Sequence, residues 1–151
     1  MTIDGKNYIL EIEETYLLSV DENDVGVQRR YSAPVDGYLC LFSINSLSSF
    51  VELKRLVSLL EQTRGRGLPM VIVGTMCELP LTERNVEDQE VQEFALSLHA
   101  TYFEVSAKHN INCFEPFQGI VKLIEKERKM KDRAEQDGNS EGGSNKKCVI
   151  C

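Results

Sequence analysis

Few side chains of this sequence can do chemistry at neutral pH: five cysteines and two histidines. The most informative group is Cys148-Val149-Ile150-Cys151. A cysteine four places from the end, two aliphatic residues and a variable last residue fit the signal for S-prenylation, in which the thiolate takes up an isoprenoid. A bare Cys-x-x-Cys also suits a redox or metal pair. A redox pair, however, belongs at a helix start in a packed domain, and zinc needs two further ligands. The remaining thiols are Cys40, Cys77 and Cys113. An odd cysteine count suits reduced thiols rather than a disulfide framework. Cys40 lies in an apolar run and reads as a small core residue. His99 and His109 each stand alone, without a convincing cysteine or carboxylate partner, so a new enzymatic centre finds little support.

A single isoprenoid anchors a protein only marginally. Lys146 and Lys147 add a modest second signal of about 1 kcal/mol each near an anionic leaflet. Upstream, Lys126, Arg128, Lys129, Lys131 and Arg133 alternate with acids, and Glu125–Lys129 and Glu127–Lys131 have i,i+4 spacing. That pattern reads as a solvated helix face. The expectation is reversible attachment to the cytoplasmic face of a membrane, most readily the plasma membrane, with a cytosolic fraction. Prenyltransferase and the enzymes that process such termini would be its partners. No apolar run reaches bilayer-crossing length, and Met1 to Lys6 lack the basic and apolar regions of a signal peptide. A net charge of −7 opposes nucleic-acid binding, which needs a basic field.

The elements that must carry these residues follow from periodicity. Asp4-Gly5 before the alternating run Tyr8–Ile12 predicts a hairpin. Residues 13–34 show no sustained period and read as mostly irregular. Tyr38–Ile44 and Met70–Gly74 are nearly continuous apolar runs, as in strands covered on both faces. Between them, Ser49 and Glu52 resemble a capping box, Phe50, Leu53, Leu56, Val57 and Leu60 recur at helical spacing, and Gly65, Gly67 and Pro69 end the helix. A second helix is predicted over 87–98, with Val91, Phe94, Ala95 and Leu98 on one face. A short strand follows over 101–105, then a helix over 115–134 with Phe117, Val121 and Ile124 inward and Pro116 in its first turn. Alternating strands and helices imply an α/β fold with a mostly parallel, doubly wound sheet. The chain therefore divides into a domain over 1–135, a Gly/Ser/Asn-rich flexible tether over 136–147, and the lipid box over 148–151.

Several stretches together resemble the Ras family of small GTPases, in its Ras/Rap/Rheb branch. They are Ile3-Asp4-Gly5, Asp36–Ile44, Ser49-Phe50, Leu68–Gly74, Phe103–Lys108 and the terminal box, in that order and at family spacing. The resemblance implies a phosphate-loop NTPase fold and, in the family, a GTP/GDP switch that uses Mg²⁺ and hydrolyses GTP. It also implies two guanine-holding loops. Thr75, Met76 and Glu78 stand where the family has Asn-Lys-x-Asp, so all three defining positions have changed. Ser106-Ala107-Lys108 matches the second loop; a strand-to-helix turn kept for folding explains it equally well.

No Gly-x-x-x-x-Gly-Lys-Ser/Thr occurs in the sequence. Glu13–Leu18 stands where the family carries Asp-x-x-Gly-Gln, the metal contact, switch glycine and water-positioning glutamine. Relative to the family, the chain begins at the turn between the second and third strands, lacking the first strand, phosphate loop and first helix. The expectations are no catalytic residues, no metal site and no bound cofactor in this chain, and a sheet with a gap. Either Tyr8–Ile12 pairs directly with Tyr38–Ile44, or the latter becomes an apolar edge that a protein partner would cover. The alternative is a fragment or variant product of a working GTP switch.

Overall fold

A computed structural model describes residues 1–14, 35–136 and 146–150. A two-stranded antiparallel hairpin opens the chain, β1 (Thr2–Ile3) against β2 (Lys6–Asn7). Asp4 and Gly5 form its turn with φ of 48° and 78°. Two consecutive left-handed residues make the primed turn that matches strand twist, and Asp-Gly is suited to it. The Met1 ammonium donates to the Tyr8 carbonyl at 2.8 Å, and the Tyr8 amide to the Met1 carbonyl at 2.8 Å. The hairpin's second arm is therefore Lys6–Asn7, and the alternating run supplies a separate strand, β3 (Leu10–Glu14). Glu13 and Glu14 belong to that strand, while 15–34 lie outside the described residues.

The main sheet continues with β4 (Gly37–Ser43), β5 (Met70–Thr75) and β6 (Thr101–Val105), and its last strand in sequence is β7 (Lys146–Ile150). Its spatial order is β3-β7-β4-β5-β6, with every pairing parallel. The helices are α1 (Leu47–Arg64), α2 (Asp88–Ser97) and α3 (Glu115–Gln136). The α/β class is as predicted.

Packing forms two cores, one on each side of the sheet. On one, Phe50, Leu53, Leu56, Val57 and Leu60 of α1 and Val91 and Ala95 of α2 meet Tyr38, Cys40, Phe42 and Ile72. On the other, Ile120 and Ile124 of α3 meet Leu39, Val71 and Val73. Alternate residues of β4 thus supply opposite faces, which explains its unbroken apolar run. Phe117, Phe94 and Leu98 are only partly buried.

Two expectations need correction. The cap of α1 is Ser46, whose side chain accepts from the Ser49 amide at 3.3 Å; the Ser49 hydroxyl donates to the Ser46 carbonyl at 2.8 Å. Ser49 is therefore already inside the helix, in its first turn. Secondly, β3 does not pair directly with β4, nor is β4 an edge. Lys146–Ile150 enters between them. Lys146 and Lys147, assigned to the tether by composition, are strand residues here; 137–145 lie outside the described residues.

Candidate functional site: two loops at the ends of β5 and β6

Parallel strands deliver their following loops to one end of the sheet, so Thr75-Met76-Cys77-Glu78 and Ser106-Ala107-Lys108 arrive together after β5 and β6. The Cys77 amide donates to the Val105 carbonyl at 3.1 Å, tying the loops at their base. Thr75 is committed elsewhere: its hydroxyl donates to the Phe42 carbonyl of β4 at 3.0 Å. Met76 turns the chain with φ of 65°, a left-handed conformation unfavourable for a long side chain. Its sulfur accepts from the Ser43 hydroxyl at 3.4 Å.

Glu78 faces the second loop. Hydrogen bonding from the Ser106 side chain, then from Glu78's own backbone amide, holds its carboxyl below the usual range. Its Oε2 is shielded from solvent and has no hydrogen-bond partner. Ser106 is fully buried, and its Oγ also accepts from the His109 amide at 3.1 Å. Ser106 and Ile111 exchange backbone hydrogen bonds at 3.0 and 2.9 Å, closing this loop as a tight lariat. Ala107 and Lys108 are exposed on it.

Sequence reading missed what braces these loops. Arg84, just past the short helical turn Leu81–Glu83, makes a two-pronged ion pair with Glu104 of β6 at 2.8 and 3.0 Å. The same guanidinium donates to the Cys77 carbonyl at 3.1 Å. Tyr102 donates its hydroxyl to Glu104 at 3.0 Å, and Asn112 donates to the Glu104 carbonyl at 2.9 Å. Bidentate arginine–carboxylate geometry fixes orientation as well as charge. The Glu104 hydrogen bond raises the Arg84 guanidinium further above its ordinary value. Burial, then the Glu104 and Glu78 carboxylates, push the Cys77 thiol up, keeping it protonated. The available signal was a lone arginine between two apolar segments, which does not by itself announce a partner twenty residues away.

Other sequence-predicted groups lie apart. Cys148, Lys146 and Lys147 are in β7, inside the sheet. Three basic residues of α3 have ion-pair partners: Arg128 binds Asp36 at 2.6 Å, Lys131 binds Glu127 at 2.6 Å, and Lys122 approaches Asp4 at 3.5 Å. Among the described residues there is no cluster of three or more His, Cys, Asp or Glu side chains suited to a metal ion, and no helix long and apolar enough to cross a membrane.

An all-parallel sheet flanked by helices on both faces, with paired loops at the strand ends, is a doubly wound α/β architecture, with which a small GTP-binding fold is consistent. Residues 1–126 match the Ras family. The chain is similar to the Ras-like protein rasS of Dictyostelium discoideum, 33% identical over 141 residues, which cover 93% of this chain and 69% of that protein. It is also similar to the Ras-related protein R-Ras of Rattus norvegicus, 34% identical over 127 residues, covering 83% of this chain and 56% of that protein. The chain belongs to the Ras family of small GTPases.

Family membership implies GTP or GDP and Mg²⁺, and the residues present fit that group only at one end. Glu78 places a carboxylate, with its shielded Oε2 lacking a hydrogen-bond partner, beside the Ser106 loop. For the phosphates and metal the described residues offer no ring of backbone amides with a lysine. Among the described residues, then, no donor set for a Mg²⁺-bound triphosphate comes together.

Proposed function

We propose that this chain is a Ras-family signalling protein that neither holds nor hydrolyses GTP and is tethered to a membrane by a prenyl group on Cys148. The observation carrying the nucleotide half is Thr75. Its single hydroxyl hydrogen is spent on the Phe42 carbonyl at 3.0 Å, so the side chain has no donor left to bridge toward a base. Glu78 reaches one methylene farther than the family aspartate, and a displacement of that size matters in bidentate recognition. Without amides and an ammonium around the phosphates, the charge that dominates nucleotide affinity stays unneutralised. In equilibrium titration of the purified chain with a fluorescent GTP analogue and Mg²⁺, binding should be weaker than about 100 µM. Submicromolar affinity would end this reading.

The tether rests on the four residues Cys148-Val149-Ile150-Cys151. In the reaction Cys148 Sγ forms a thioether to the first carbon of an isoprenoid diphosphate, diphosphate leaves, and the thiol proton passes to solvent. Incubation with a prenyltransferase and labelled isoprenoid diphosphate should label the chain, and Cys148→Ser should abolish the label. The reading places the protein at the cytoplasmic face of a membrane, foremost the plasma membrane, in exchange with a cytosolic pool. The lysines before Cys148 add weak attraction to anionic lipid.

A further inference from the structure

We infer that the space between β3 and β4 is a strand-accepting slot whose occupant is the chain's own segment Lys146–Ile150, and that occupancy withholds Cys148 from modification. The second clause rests on the prenylation reading; the first does not.

The register is definite on both sides. Toward β3, Leu10 pairs with Lys146, Glu11 with Lys147, Ile12 with Cys148, Glu13 with Val149 and Glu14 with Ile150. Toward β4, Gly37 pairs with Cys148, Tyr38 with Val149 and Leu39 with Ile150. Cys148 is thus flanked by backbone on either side. Among the described residues β3 reaches the rest of the sheet only through β7.

Three properties make the slot suit this occupant. Five of the seven β4 residues are buried, so an unpaired β4 would expose a row of backbone donors and acceptors beside core. The incoming run ends in Val149-Ile150, residues that favour extended backbone. Its two lysines enter beside a strand carrying three carboxylates, Glu11, Glu13 and Glu14, so charge complementarity favours this end of the chain. Main-chain pairing supplies affinity and the alternating side chains supply selectivity, as in other strand-addition sites.

An enzyme that alkylates Cys148 must take the terminal residues as a free extended peptide. Slot occupancy and modification then exclude one another in the same molecule, and the open fraction sets the modification rate.

Cross-linking of the full, unlipidated chain tests this. Neighbouring strands lie about 4.8 Å apart, within bridging distance for two thiols on one face. Ile12→Cys places a thiol in register with Cys148; Glu13→Cys places one on the opposite face. With a short thiol–thiol reagent and peptide mapping, the Ile12→Cys chain should give the 12–148 cross-link, within single chains, about tenfold more than the Glu13→Cys chain gives the 13–148 product. Equal yields from the two, or a 12–148 product found only between two chains, would overturn the slot. Both positions are exposed on a sheet-edge strand, so neither substitution removes core.

A separate arm measures prenyl transfer. The Ile12→Cys chain, joined to Cys148 through reducible disulfide bonds and then reduced, should regain the transfer rate of the unjoined chain. Glu11→Lys with Glu13→Lys should raise that rate about threefold or more by weakening occupancy. If cross-linking keeps its preference but neither chain accepts lipid, the prenylation reading falls alone. If lipid transfers and both thiols couple equally, the slot falls alone.

Discussion

At the scale of single residues, the loops after β5 and β6 balance one unfavourable feature, the Met76 backbone, against a strong brace. Met76 adopts φ of 65°, which costs about 1–2 kcal/mol for a residue with a side chain. Met76→Asn, better suited to that backbone, should raise stability by roughly 0.5–1 kcal/mol, whereas β-branched Met76→Val should lower it by about 1 kcal/mol, both read from urea midpoints. Glu78 has its carboxyl pKa depressed in the folded state, below the ordinary 4.5. A depressed carboxyl contributes stability present above the unfolded value and lost as pH falls through the folded one. Glu78→Gln should accordingly flatten the acid limb of the stability profile below about pH 4.5, measured by denaturant titration at successive pH values. These features were partly legible. Thr75, Met76, Glu78 and Ser106 stood out because they occupy motif positions, but the Arg84–Glu104–Tyr102 brace joins residues through space that no spacing rule connects.

At the scale of elements, periodicity located α1, α2, α3, β4 and β5, because each has a wide apolar face or an unbroken apolar run. The boundaries were less legible. Ser46, Ser48 and Ser49 can all cap in principle, and the choice falls to backbone geometry: Ser46 is extended, at φ −129° and ψ 98°, while Ser49 is helical. Ser46→Ala should therefore cost about 1 kcal/mol, and Ser49→Ala should cost it for a different reason, through loss of the bond to the Ser46 carbonyl. Thermal melts of the two single variants and the double variant would show coupling between them. β7 was illegible as an element for a physical reason. Five residues after a Gly/Ser-rich stretch carry too little pattern to nominate a strand, and what stabilises them is an open position in a sheet formed from residues more than a hundred positions earlier.

At the scale of the whole molecule, the sheet divides the interior into two cores joined through β4 and β5. Close approach fixes their spacing. A Cβ at Gly74 would lie 2.8 Å from the Tyr102 hydroxyl and 3.0 Å from Ile44, and one at Gly37 would lie 2.8 Å from Ile120. Gly74→Ala should destabilise by about 1–3 kcal/mol, a large share of the 5–15 kcal/mol of a whole domain, and should lower the melting temperature by several degrees. The fold class was readable from the alternation of strand and helix. The strand order was not, because two pairings of β3 satisfied its alternating pattern and neither invoked the far end of the chain.

Tyr102 also carries an optical consequence. The sequence has no tryptophan and only five tyrosines, so near-ultraviolet signals come chiefly from phenol rings. Burial first, then the neighbouring Glu104 charge and hydrogen bond, push the Tyr102 phenol far above its ordinary value. Its ionisation is therefore withheld until the loops part. The alkaline absorbance change at the phenolate band becomes an intrinsic gauge of whether Tyr102 stays buried against Glu104, readable without any label.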